Sequence, residues 1–164
     1  MTHASWPPWD VTSLQVKLGA LAERLEQRKE LEEDVVGWLS RLLVIRSAGY
    51  LEQVAFVTCR AFVDAKSGGL VRSYAKSHLE RTRNPSPDNL LQLVGRFDHG
   101  LENDLSSFLD DNDQHVRREL SFLVDRRNRI AHGESESVNP QKALALKGVA
   151  CDVADWFVLR MNPH

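Results

Sequence analysis

Only two cysteines, Cys59 and Cys151, occur in 164 residues, and each lies inside an apolar helical pattern. They read as small core residues in a reducing compartment, not as a disulfide or a metal pair. The net charge is −2, so the whole molecule lacks a basic field for nucleic acid and any RNA site has to be local. No run approaches the ~20 apolar residues that a membrane span needs. The N-terminus lacks a charged start followed by an apolar stretch, which argues against a secretion signal. A cytoplasmic protein with no membrane partner is expected. Internal repeats, Gly-rich phosphate loops and strand-period alternation are all missing. Asp110-Asp111-Asn112-Asp113 is acidic but lacks the Gly and distal Glu of a calcium loop. A turn is expected there, and no metal or cofactor anywhere.

What is present is an ordinary globular composition, with 42% hydrophobic and 27% charged residues and enough length for one core. The apolar spacing is helical throughout. It predicts an all-α, up-and-down helical bundle with a long N-terminal helix or helix pair. The organisation expected is an extended tail over residues 1–10 and a single helical domain over 11–161. In the tail, S-W-P-P-W favours extended backbone, with Trp6 and Trp9 laid across the bundle or docking a partner protein.

Asp10 is the expected cap of the first helix, with Leu14, Leu18, Leu21 and Leu25 on its apolar stripe. The charge-rich E-Q-R-K-E-L-E-E-D follows, as either a solvated helix middle or a break near Gln27–Glu30. A second helix is expected from Ser47 to Lys66, apolar around most of its circumference and ended by Gly68-Gly69. Leu70–Arg81 reads as a short polar helix. Ser86-Pro87 and Asn139-Pro140 each pair a cap with a first-turn proline and so open later helices.

The stretch that organises the chain is Asp113–Gly133. At 100° per residue, Val116, Leu120, Leu123, Val124, Ile130 and Ala131 form one apolar stripe with Arg127 at its centre. A guanidinium keeps its charge, so it must be paired, hydrated in a cleft, or held for a ligand. Ser121, Asn128 and His132 make a polar ridge beside the stripe. Glu52, off the polar strip of its own helix, is the expected partner of Arg127; the alternative is a carboxylate that reaches solvent. The stretch carries five arginines against Asp113, Glu119 and Asp125, a local balance of +2. Arg118, Arg126 and Arg129 are the candidate RNA-contacting members.

Arg127-Asn128-Arg129-Ile130-Ala131-His132, followed by Gly133-Glu134, resembles the signature of the HEPN superfamily. With L-V-I-R-S-A-G-Y-L-E-Q and L-L-Q-L-V-G-R-F, the resemblance runs from about Leu42 to Val138 and is closest to the RiboL-PSP-HEPN branch. It implies a helical bundle, usually a dimer, often with metal-independent RNase activity, and a toxin or defence role.

Metal-free RNA cleavage uses the 2′-OH as nucleophile. It needs a proton donor or acceptor near neutral pH and positive donors for the phosphate. His132 is the motif's only candidate proton carrier. Arg127 can hold phosphate through paired donors. Asn128 can orient the ribose or the imidazole, and Ser121 can support them. Arg127 and His132 lie about 140° apart on a regular helix, so they converge poorly within one chain. A two-fold pairing of motif helices would join them, which predicts a homodimer. The competing readings are a non-catalytic HEPN module that binds RNA or a partner protein, and a structural Arg–Glu pair with a capping histidine.

Overall fold

The computed structural model describes residues 5–79, 84–134 and 137–164. Among them the fold is all-α, as expected: α1 (Trp9–Glu26), α2 (Glu33–Lys66), α3 (Gly69–Leu79), α4 (Pro87–Gly95), α5 (His99–Ala131) and α6 (Pro140–Arg160). The core lies where α2 packs against α1, α5 and α6.

α1 buries Val11, Leu18, Ala22 and Leu25. Pro8, not Asp10, holds the cap position; its ring sets a backbone that leads directly into the helix, and Asp10 falls in the first turn. There the carboxylate still complements the helix dipole. Ahead of α1, Trp6 Nε1 donates to the Val158 carbonyl at 2.8 Å, so this part of the tail lies across α6. Trp9 remains 74% exposed.

A short 3-10 turn, Arg28–Glu30, separates α1 from α2, so the charge-rich stretch is a break. The expected helix start at Ser47 is wrong. α2 runs unbroken from Glu33, and Ser47 is fully buried inside it. Its Oγ has no hydrogen-bond partner among the described residues. Serine's mild preference for helix ends is overridden because Leu43, Val44, Ala48, Leu51 and Val54 are buried together only if the helix continues. By length and composition α2 also exceeds the expectation of no span-length apolar run. It is long and apolar enough to cross a membrane, and more than half of its most apolar stretch is buried in the bundle.

Gly69, at φ +55°, breaks the chain out of α2, and α3 folds back on that helix. Lys76 Nζ reaches Asp64 Oδ1 at 3.0 Å. The opposite face is not polar, as expected, but exposes Leu70, Val71 and Tyr74. The expected end of this helix at Arg81 lies outside the described residues. α4 is capped as its sequence implies, with Ser86 Oγ accepting from the Asn89 N–H at 3.3 Å and Pro87 in the first turn. Asp98 caps α5 by accepting from the Leu101 N–H at 3.0 Å.

α5 is two limbs joined by a kink. Asp111 is extended, and Asn112, Asp113 and Gln114 take left-handed backbone at φ +50°, +55° and +61°. The motif limb therefore begins at His115, two residues later than the sequence implies. Left-handed backbone costs roughly 1–2 kcal/mol per ordinary L-residue, less for Asn and Asp. A clamp spans the kink: Arg117 Nε donates to Asp110 Oδ1 at 2.6 Å and Nη2 to Oδ2 at 3.2 Å. The Arg117 hydrogen bond holds the Asp110 carboxyl below its usual range. α6 opens on Asn139, whose Oδ1 accepts from the Lys142 N–H at 2.7 Å, and buries Leu146, Val153 and Phe157 against α2.

Candidate functional site

The motif limb of α5 presents Arg127 between the core and an open cleft. Leu120 and Leu123 are fully buried on the same limb and Val124 nearly so. Val116 and Ile130 are half-buried against the core. The stripe then runs out: Ala131, expected in it, is exposed because the last turn of α5 extends past its neighbours. Arg127 is accordingly not a core residue. Its side chain is 34% exposed, and it lines a cleft of about 670 Å³ formed by α1, α2 and α5.

Two groups hold the guanidinium. Nη1 donates to Asn128 Oδ1 at 3.0 Å. Nη2 lies 3.7 Å from Glu52 Oε2, with the Glu52 side chain 30% exposed. The expected partnership exists, but it is a loose ion pair in a wet cleft. A pair this exposed is worth about 0.2–1 kcal/mol, well short of the 3–5 kcal/mol lost on breaking a buried one.

Asn128 also faces the other side of α5. It shares a shallow groove of about 340 Å³ with Ser121, Arg117, Asp125, Asp88 and Ser86. Ser121 is exposed there, and its Oγ donates to the Arg117 carbonyl at 2.9 Å, a local bond within the helix. Asn128 is thus the link between groove and cleft.

His132 lies just beyond the helix. Its N–H donates to the Asn128 carbonyl at 3.0 Å, and its side chain is exposed. Gly133, at φ +77°, turns the chain away. Its N–H reaches the Ile130 carbonyl at 3.1 Å and the Glu134 N–H reaches the Arg129 carbonyl at 3.0 Å, the paired bonds of a glycine-capped helix end. His132 lines neither the cleft of Arg127 nor the groove of Asn128. Within one chain, the structure brings together Glu52, Arg127 and Asn128. It sets Ser121 on the far side and leaves His132 at the helix end.

The arginines proposed to contact RNA differ. Arg118 is exposed. Arg129 Nε pairs with Asp125 Oδ2 at 3.1 Å along the helix. Arg126 lies with its guanidinium 4.7 Å from the centroid of Phe122, and Lys142 Nζ lies at the same distance from that ring. Lys142 also pairs with Glu119 at 2.6 Å. These contacts tie the motif limb to α6.

Two cations in the cleft of Arg127 were not singled out as site residues from the sequence. Lys17 on α1 and Arg46 on α2 both line it, beside Gly49, Tyr50 and Gln53. The signal for Lys17 was a lone cation at the edge of the Leu14–Leu18–Leu21 stripe, the same kind of exception that marked Arg127. Arg46 was legible only as one member of a polar strip. Tyr50 is almost fully buried, and burial first, then the nearby Cys151 and Asp155, pushes its hydroxyl up to about 12. It stays protonated at neutral pH.

No curated protein and no solved structure matches this chain. A family model described as RiboL-PSP-HEPN matches residues 19–159, which takes in α2 to α5 entire and nearly all of α6. The chain belongs to the RiboL-PSP-HEPN family.

Proposed function

We propose that the protein is a metal-independent endoribonuclease that cleaves RNA by 2′-OH attack at a site composed from two copies of the chain. HEPN proteins are often RNases, and the motif residues supply the groups that this chemistry uses. The 2′-oxygen attacks the adjacent phosphorus and loses its proton; the bond from phosphorus to the 5′-oxygen breaks and that oxygen gains a proton. His132 carries protons in this scheme. Arg127 offers fixed positive donors to the phosphate oxygens as charge grows on them. Asn128, bonded to Arg127, orients it.

The observation that carries the reading is the state of Arg127. Its guanidinium faces an open cleft, and its carboxylate partner is 3.7 Å away and solvated. A phosphate can take that partner's place at small cost. Among the described residues, no group of three or more His, Cys, Asp or Glu side chains is set to hold a metal ion.

His132 and Arg127 face different spaces within one chain, and this favours two copies acting together. It also frames the second reading, in which a single chain binds RNA or a partner protein without cleaving. The test is an RNase assay of the wild type and His132→Ala in excess chelator. Loss of a general acid or base lowers kcat by about 10²–10⁴-fold. Wild-type cleavage that survives chelator and falls by that factor in His132→Ala supports the enzyme. Equal cleavage by the variant, or loss of wild-type cleavage on adding chelator, refutes it.

A further inference from the structure

We propose that the cleft between α1, α2 and α5 is a groove for the RNA backbone, in which Lys17 and Arg46 position a phosphate next to the one that Arg127 holds. The proposal rests on RNA being the substrate, and it extends the site to residues outside the motif.

The first support is charge. The chain carries a net charge of −2, yet Lys17, Arg46 and Arg127 line one cleft against the single carboxylate of Glu52. Cations gathered in a concave site concentrate anions there even when the whole molecule is near neutral.

The second support is that these cations are available. The side chains of Lys17 and Arg46 make no hydrogen bond or ion pair among the described residues, and Arg127 is held loosely by Glu52. Four cations outside the cleft are held by carboxylates: Lys76 by Asp64, Arg117 by Asp110, Lys142 by Glu119 and Arg160 by Asp104. In the cleft, three cations face one carboxylate.

The third support is shape. Gly49 lies on α2 three residues after Arg46 and four before Gln53, on the cleft wall. A Cβ built there meets nothing within 4 Å, so the missing side chain leaves the space open. Leu14, Leu21 and Ile45 supply apolar surface beside the charges, and the Gln53 amide supplies a donor and an acceptor. A positive groove with apolar surface for bases suits a single strand better than a duplex. Lys17 brings α1 into the groove beside the cations of α2 and α5.

The probe is a fluorescein-labelled hexanucleotide with 2′-O-methyl riboses, which cannot be cleaved by 2′-OH attack. Anisotropy titrations compare the wild type with Lys17→Ala, Arg46→Ala, the double variant and Gly49→Leu. Each lost cation weakens binding by up to about fivefold, and the double variant by up to about 25-fold. The slope of log K against log salt becomes shallower by roughly 0.7 per cation removed. With cleavable RNA, KM rises while kcat at saturation stays near the wild-type value. Gly49→Leu narrows the cleft beside Arg46 and weakens binding with no fall in Tm.

Double-variant binding within twofold of the wild type, at an unchanged salt slope, overturns the proposal. So does a free mononucleotide that binds as tightly as the hexamer and loses affinity in the same variants, since the cleft would then serve a small ligand. Variants that become monomeric also overturn it, because the cleft would then be a subunit contact. The catalytic reading fails separately. If the wild type never cleaves RNA but these variants lose binding, the groove stands; if His132→Ala stops cleavage while the double variant binds normally, the groove falls.

Discussion

Arg127→Ala separates a structural arginine from a functional one. The Arg127–Glu52 contact is 3.7 Å, with the two side chains 34% and 30% exposed. Solvent screens such a pair to about 0.2–1 kcal/mol. Some packing of the arginine stem is lost as well, so the total should stay near 1 kcal/mol. For a chain of this length that corresponds to a Tm decrease of about 2–4 °C. A buried pair would behave differently, costing about 3–5 kcal/mol because the stranded carboxylate has no solvent. The assay is a double-mutant cycle of Arg127→Ala, Glu52→Gln and both, followed by thermal melts and urea titrations. The coupling energy should be below about 1 kcal/mol, while RNA cleavage is lost in every member lacking Arg127. A loss of 3 kcal/mol or more in Arg127→Ala, recovered in the double variant, would show that the arginine serves the fold.

Two further predictions concern the scaffold. Gly49→Ala should stabilise the protein by about 0.5–1 kcal/mol, seen as a rise in Tm, because Gly49 sits mid-helix and the added Cβ meets nothing within 4 Å. The Arg117 clamp predicts a pH effect. The hydrogen bond from Arg117 lowers the folded Asp110 carboxyl below its usual range. Its stabilising contribution is therefore present above the unfolded carboxylate value and lost as pH falls through the lowered one. In Arg117→Met that part of the acid dependence should disappear from stability curves measured between neutral and acidic pH; an unchanged acid limb would show that the clamp is idle.

Local chemistry was the legible part of the fold. Ser86-Pro87, Asn139-Pro140 and Gly133 act as helix ends because caps depend on one or two neighbouring residues. The kink after Asp110 was legible as an acidic turn for the same reason, although its left-handed residues moved the helix start to His115. Continuity of α2 through Ser47 was not legible, since it depends on what α6 and α5 cover. The angular pattern located Arg127 but overstated its burial. A period says which residues share a face and not how far the neighbouring helices extend, which is why Ala131 is exposed. Lys17 and Arg46 meet Arg127 only through packing of three helices, and no spacing along the chain brings them together.

The composite site can be tested by mixing two inactive variants. Arg127→Ala and His132→Ala proteins are combined, allowed to exchange subunits and assayed on RNA beside each parent. If each site takes Arg127 from one copy and His132 from the other, a mixed dimer carries one intact site and one doubly defective site. Random exchange makes about half of the dimers mixed, so activity should recover to about a quarter of the wild-type value. If the mixture stays as inactive as its parents although subunits have exchanged, the two residues do not act across copies and the composite site is contradicted.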